Sequence, residues 1–279
     1  MTLNTETVRR LPHVEGALSY LAPMSEKPYR YTYEPPAGVM VSNAEYETRT
    51  LPIFDARPVA RGLSLDREGF ALVEERSRVR DFYDEDELRR VYYPEAERIV
   101  AAATGGQRVV VFDHTLRQRI PGTEDGTTGA PRQPVTRVHN DYTLTSGPQR
   151  VRDLMGEEAD ALLKRRFAIV NLWRPIRGPL RDAPLAVCDA GSVRQDDFIA
   201  SDLIYRDRRG ETYAVKYSAG HRWFYVPEMR SDEALLIKCY DSAADGAARF
   251  TAHSAFEDPT TPPDVLPRES IELRTLVFY

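Results

Sequence analysis

The chain has 279 residues, 42% apolar and 29% charged, with a formal net charge of −5. That length suits one large domain or two small ones, and the interspersed acids and bases exclude the basic stripe of a nucleic-acid binder and the polybasic patch of a membrane binder. Two cysteines, Cys188 and Cys239, are too few for a disulfide framework and fit a reducing compartment. The opening "MTLNTETVRRLPHVEGALSY" lacks the apolar run of a secretory signal, and no segment approaches the ~20 apolar residues that span a bilayer. The expectation is a cytoplasmic protein.

Residues 1–60 are rich in proline and tyrosine and predict an irregular N-terminal arm with short strands, one of them near Tyr46–Ile53. Gly69–Ser77 predicts another strand. "DEDELRRVY" carries acids in its first turn, and "PEAERIVAAATGG" has Pro94 where a first helical residue belongs and Gly105 just past the end, so two helices are expected. "QRVVVFDHT" is a β-branched run, followed by the loop "IPGTEDGTTGAPRQP", whose residues 121–130 are a candidate lid. A helix is expected over 151–167, with Leu154, Ala161 and Leu162 toward a core. From there to the C-terminus the pattern is strand and turn at fairly regular spacing, which predicts a double-sheet barrel or sandwich with the helices outside it. No linker separates these parts, so 1–279 is read as a single domain.

The stretch "VTRVHNDYT" places His139 and Asp141 two residues apart in a run of β-formers. On a strand such residues share a face. Together they are two-thirds of the two-histidine, one-carboxylate facial triad that leaves adjacent positions of an octahedral Fe(II) open. A lone His-x-Asp pair is more often a surface pair, so a third ligand decides the matter. His114, His221 and His253 are the candidates. His253 leads because "PRESIELRTLVFY" follows it, with Arg268 and Ser270 on one strand face. A guanidinium and a hydroxyl so placed can grip a carboxylate such as the distal end of 2-oxoglutarate. Arg274 has the same parity and is a rival clamp, and His221 is the rival ligand.

"VHNDYT", "NLWRPI", "PLAVCDA", "HRWFYVPEM", "LLIKCYDS", "ARFTAHSAFEDPTTP" and "PRESIELRTLVFY" together resemble the CmcJ/AsaB-like family, oxygenases of natural-product pathways related to gibberellin desaturases. The similarity runs from about residue 105 to the C-terminus. It implies a mainly β fold with flanking helices, a double-stranded β-helix (jelly-roll, cupin-like) core over about 105–279, Fe(II), and 2-oxoglutarate and dioxygen as cosubstrates. Carried over by residue, it implies His139, Asp141 and His253 as iron ligands and Arg268 with Ser270 on 2-oxoglutarate. The long gap between Asp141 and His253 keeps His221 in view.

The implied reaction hydroxylates a small natural-product intermediate, or desaturates or cyclises it, and releases succinate and carbon dioxide. Asp141, retained as a carboxylate, disfavours halogenation. Asn171, Trp173, Arg174 and Tyr142 are candidate substrate contacts; Arg117 and Arg119 beside the loop, and Tyr240, are weaker ones. The expected partner is a small molecule, with neither nucleic acid nor membrane, and the sequence sets no oligomeric state. Two other classes compete: a metal-free jelly-roll binding protein, and a methyltransferase, which would want a Gly-rich strand-to-helix turn that is not found here. A hydrolase on the same ligands is disfavoured by the arginine–serine clamp.

Overall fold

The structure is a computed structural model and describes every residue except Met1, Thr2, Asn4 and Thr128. Two sheets face each other. The larger runs β1 (His13–Leu21), β3 (Tyr46–Asp55), β11 (Trp223–Tyr225), β8 (Leu185–Cys188), β13 (His253–Ala255), β6 (His139–Asn140), β10 (Arg209–Val215), β9 (Phe198–Ile204) and β2 (Tyr29–Tyr31). The smaller runs β4 (Phe70–Glu74), β12 (Glu233–Asp241), β7 (Phe167–Pro175), β14 (Glu269–Phe278) and β5 (Arg108–Gln118). Neighbours distant in sequence pair across both sheets, as a double-stranded β-helix requires.

Side chains from both sheets fill the space between them, among them Phe54, Val187, Trp223 and Phe224 from one and Ile169, Trp173 and Ile237 from the other. The smaller sheet also buries its outer face. Ala168, Val170, Leu172, Leu236, Leu273 and Val277 pack there against Leu88, Tyr92, Ala96, Ile99 and Val100 of a helical run. Burial on both faces explains why "FAIVNLW" and "EALLIKC" read as nearly unbroken apolar runs.

That helical run joins the two expected helices into one, Glu85–Glu87, a π-turn at Leu88–Tyr92, and Tyr93–Thr104. Asp84 Oδ1 accepts from the backbone N–H groups of Asp86 and Glu87 at 3.0 and 3.1 Å, an N-cap. Gly105 ends the run at φ 72°, where a side chain would be strained.

Three expectations change. The N-terminal segment is part of the larger sheet: β1 and β3 pair antiparallel from His13↔Phe54 to Leu21↔Tyr46, and β11 joins β3 in parallel. Leu18, Tyr20 and Ile53 are fully buried there, so apolar alternation outweighs the nearby prolines. The helix expected from Val151 begins at Ser146 and breaks at Gly156, so Leu154 and Ala161 are exposed and Val151 and Ala159 are buried instead. The strand expected around His139 is only two residues long. Both cysteines are free and buried, and no helix among the described residues is long and apolar enough to cross a membrane.

Candidate metal centre

Register brings the two histidines together. His139 on β6 and His253 on β13 are direct antiparallel partners, and β6 also pairs with β10. Cross-strand partners project from the same face, and the two rings lie 4.4 Å apart. Asp141 follows β6 on a bend and turns back to meet them. Its Oδ1 is 3.5 Å from His139 Nε2 and 3.9 Å from His253 Nε2, and one ligand atom from each residue lies within 4.8 Å of the others.

The ring nitrogens facing away fix the chemistry of those facing in. His139 Nδ1 lies 2.8 Å from the Arg137 carbonyl, and His253 Nδ1 lies 2.9 Å from the Thr251 carbonyl. A carbonyl only accepts, so each Nδ1 carries a proton and Nε2 is the nitrogen left to face a metal. Burial, and then the neighbouring His139, lower the pKa of His253 and favour its neutral form. Asp141 Oδ2 accepts from Asn171 Nδ2 at 2.8 Å and Arg274 Nε at 3.1 Å, which leaves Oδ1 for the imidazoles. Burial pushes the Asp141 carboxyl up, but Arg274 and the two histidines outweigh it and hold it well below the usual range. Two imidazole nitrogens and one carboxylate oxygen converging from one side suit Fe(II).

Asn140 was not singled out in the sequence. It faces away from the triad and is fully buried. Its Nδ2 donates to the carbonyls of Tyr142 and Cys239 at 2.7 and 2.8 Å, and its Oδ1 accepts from Thr251 N–H at 3.2 Å. It therefore ties the turn bearing Asp141 to the segment that leads into His253. Glu272 accepts from Asn171 Nδ2 at 3.0 Å and Arg274 Nη2 at 2.8 Å.

A small chamber adjoins the triad, lined by Arg268, Trp173, Leu185, Val135, Ala255 and Arg117 among others. Strand alternation puts Arg268, Ser270, Glu272 and Arg274 toward it, while Ile271 and Leu273 enter the outer core. Arg268 is buried over the Trp173 ring at 4.9 Å, with Nε to Ser270 Oγ at 3.0 Å and Nη1 to the Ala183 carbonyl at 2.8 Å. It makes no ion pair among the described residues. Burial, and then the charge of Arg117, push its guanidinium down to about 9. A buried cation lacking an anion is costly, and a carboxylate entering this chamber would supply one.

The other candidates separate cleanly. Arg274 is spent on protein partners: Asp141, Asp113, Thr115 and Glu272. His221 lies elsewhere, with Nδ1 to Tyr20 Oη at 3.1 Å and Nε2 to Asp197 at 3.2 Å. His114 meets Tyr93 and Glu85. Asn171 and Trp173 face the site, but Arg174 does not. Alternation sends it to the outer core over the Tyr92 ring at 5.3 Å, away from the triad. Arg119 pairs with Asp182 and Glu257, and Tyr240 stacks on Phe167 in the core. Tyr142 is buried at the wall of a large cleft of about 1220 Å³ that opens onto His139, Asp141 and Arg274. Residues 124–127 of the expected lid line this cleft, and Thr128 lies outside the described residues.

A jelly roll carrying an inward-facing His-x-Asp…His set beside a buried arginine defines the class of non-haem iron oxygenases that use a 2-oxo acid. A family model described as the YDMC oxidoreductase/YMDC permease-like domain matches residues 18–278. The hydroxylase/desaturase CTB9 of Cercospora beticola is 33% identical over 99% of this chain and 98% of its own. The alpha-ketoglutarate-dependent dioxygenase phiK, from a fungal species, is 34% identical over 95% and 96%. The solved iron and alpha-ketoglutarate-dependent endoperoxidase NvfI superposes with a TM-score of 0.87 at 30% identity, covering 96% of this chain and 98% of that one. The chain belongs to this hydroxylase/desaturase family and is an Fe(II)- and 2-oxoglutarate-dependent dioxygenase.

Proposed function

We propose that His139, Asp141 and His253 hold Fe(II) and that Arg268, with Ser270, holds the distal carboxylate of 2-oxoglutarate. The observation that carries this is the pair of Nδ1–H groups fixed on backbone carbonyls, which turns both Nε2 atoms toward the same point as one Asp141 carboxylate oxygen. Bound Fe(II) with 2-oxoglutarate and dioxygen supplies the oxidising power, yielding succinate, carbon dioxide and an oxidised C–H bond. Arg274 and Asn171 orient Asp141. Trp173 packs under Arg268 and keeps water from the carboxylate pair. Tyr142 borders the substrate beside Asp141.

We read the substrate as a small natural-product intermediate that enters the large cleft. Hydroxylation is the first expectation, with desaturation or ring closure as the runner-up. The chain acts as one domain, in the cytoplasm. The test is anaerobic titration of the purified protein with Fe(II) and 2-oxoglutarate, followed by aerobic incubation with metabolite extracts and mass spectrometry. A weak visible charge-transfer band, and succinate coupled to a gain of one oxygen or loss of two hydrogens, is the expected result. A gain of two oxygens would align it with the endoperoxidase neighbour instead. Methyl transfer from S-adenosylmethionine, or no succinate with any substrate, would sink the proposal.

A further inference from the structure

The large cleft is lined by many charged groups, and several of its cations are already paired. Lys27 meets Asp202 and Glu211, Arg209 meets Asp202, Arg132 grips Asp125 with two hydrogen bonds, and Arg274 meets Asp141. Arg30 and Arg137 are half-buried in the cleft wall, and neither makes an ion pair among the described residues; Arg150, over the Phe112 ring, and the exposed Arg206 and Arg208 also lack one. Arg30 has one long contact, 3.5 Å from Nη2 to the Asp125 carbonyl. Arg137 lies over the Tyr46 ring at 5.8 Å. Burial, and then the charge of Arg137, lower the pKa of Arg30, so the two guanidinium groups feel each other. The nearby Asp125 carboxylate is committed to Arg132.

Two like charges on one cleft wall, each partly withdrawn from water, raise the energy of the free protein, and an anion joining them would lower it. The position of the pair also matters. Arg137 precedes His139 by two residues, a rise of ~7 Å along an extended chain, and its own carbonyl holds the His139 ring. The wall around the pair is aromatic: Tyr31 and Tyr33 pack edge to face at 5.5 Å, and Tyr46 stands beside Arg137. Such surfaces suit a flat apolar body.

Resting on the iron and 2-oxoglutarate reading above, we propose that Arg30 and Arg137 bind a carboxylate on the substrate, and that the substrate is a flat, largely apolar acid. The pair anchors the acid end at the cleft wall, and the anchor aims a C–H several bonds from the carboxylate at the triad. No bond to the acid group is made or broken. Arg30 and Arg137 are binding residues and set which carbon is presented.

The experiment uses the full chain with Fe(II), anaerobically, with 2-oxoglutarate saturating so that Arg268 is occupied. The probes are naphthalene-2-carboxylate and biphenyl-4-carboxylate, each with its neutral carboxamide, measured by equilibrium dialysis. The carboxylates should bind about ten-fold or more tightly than the amides, the size of a hydrogen-bonded charge. Added salt should shrink the difference. Arg30→Gln and Arg137→Gln should each reduce the preference and the double variant should erase it, while Arg137→Lys should keep part of it. Equal binding of acid and amide, a preference that survives in the double variant, or no acid binding at millimolar concentration would overturn the proposal. The visible band is read in the same samples. A variant that forms it is folded at the iron site, and its absence in the wild-type protein would count against the iron reading rather than against this one.

Discussion

Arg268→Ala tests the assignment of the cosubstrate site most directly. The Arg268 guanidinium is buried, stacked on Trp173, and bonded only to a hydroxyl and a carbonyl, at 3.0 and 2.8 Å. Burial and the nearby Arg117 push it down to about 9, so the site is charged but uncompensated. A carboxylate entering there gains a desolvated, charge-assisted pair. Losing one member of such a pair costs ~2–5 kcal/mol, which is roughly 30- to several-thousand-fold in Kd. Stability should move far less, because an unpaired buried charge leaves with the side chain. The assay is anaerobic titration of the visible band with 2-oxoglutarate, with iron affinity measured separately by dialysis and unfolding followed by urea. The 2-oxoglutarate Kd should rise by that factor, iron affinity should hold, and Arg268→Lys should fall between, since it keeps the charge but not the planar fork. Unchanged 2-oxoglutarate affinity in Arg268→Ala, with the loss appearing in Arg274→Ala at full iron occupancy, would refute the reasoning.

Arg274→Gln should weaken iron binding by ~10- to 100-fold, the usual cost of losing a partner that orients a ligand; Asn171→Ala should act in the same direction, because both hold Asp141 Oδ2. Dialysis against Fe(II) reads this, and unaltered iron affinity in both variants would show that Asp141 needs no such support. Gly69→Ala should destabilise the fold by ~1–3 kcal/mol in urea, because Gly69 sits at φ 83° with its missing Cβ aimed into Thr251 Oγ1. It should also loosen iron, since the Thr251 carbonyl holds His253, and a variant as stable as wild type would contradict this. Asp241→Asn should cost ~1.5–3 kcal/mol by weakening a charged hydrogen bond, since the buried Lys238 bonds Asp241 at 2.7 Å and keeps Asp66 as its other partner. Burial raises the Asp241 carboxyl, yet Arg166 and Lys238 bring its folded pKa below the ordinary 3.8. Its stabilisation is therefore present above about that value and lost as pH falls through the lower folded one; urea midpoints of wild type and Asp241→Asn that stay equally far apart from pH 7 to 3 would contradict the sign.

Local rules carried much of this protein. Period-two alternation put Arg268, Ser270 and Arg274 on one face, because such parity depends only on the local chain, whereas Asp141 reaches His139 through a bend after the two-residue β6 and not by strand parity. Pro94 and Gly105 bracketed a helix for reasons of local backbone geometry. Unbroken apolar runs marked strands 167–175 and 233–241, although their second buried face is visible only with the helix of residues 93–104 packed on it. Register, a long-range property, decided the rest. It paired His139 with His253, while Tyr20 and Asp197 took up His221. Arg268 and Arg274 share parity, and only the surroundings divide them: the Arg274 guanidinium meets four protein partners, whereas the Arg268 guanidinium bonds only a hydroxyl and a carbonyl. Asn140 and Thr251 escaped the sequence because a buried amide that ties two segments looks like any other asparagine until both segments are in place. Strand parity is written residue by residue in the chain, but which strands lie side by side is settled by burying both sheets at once, and that is a property of the whole fold.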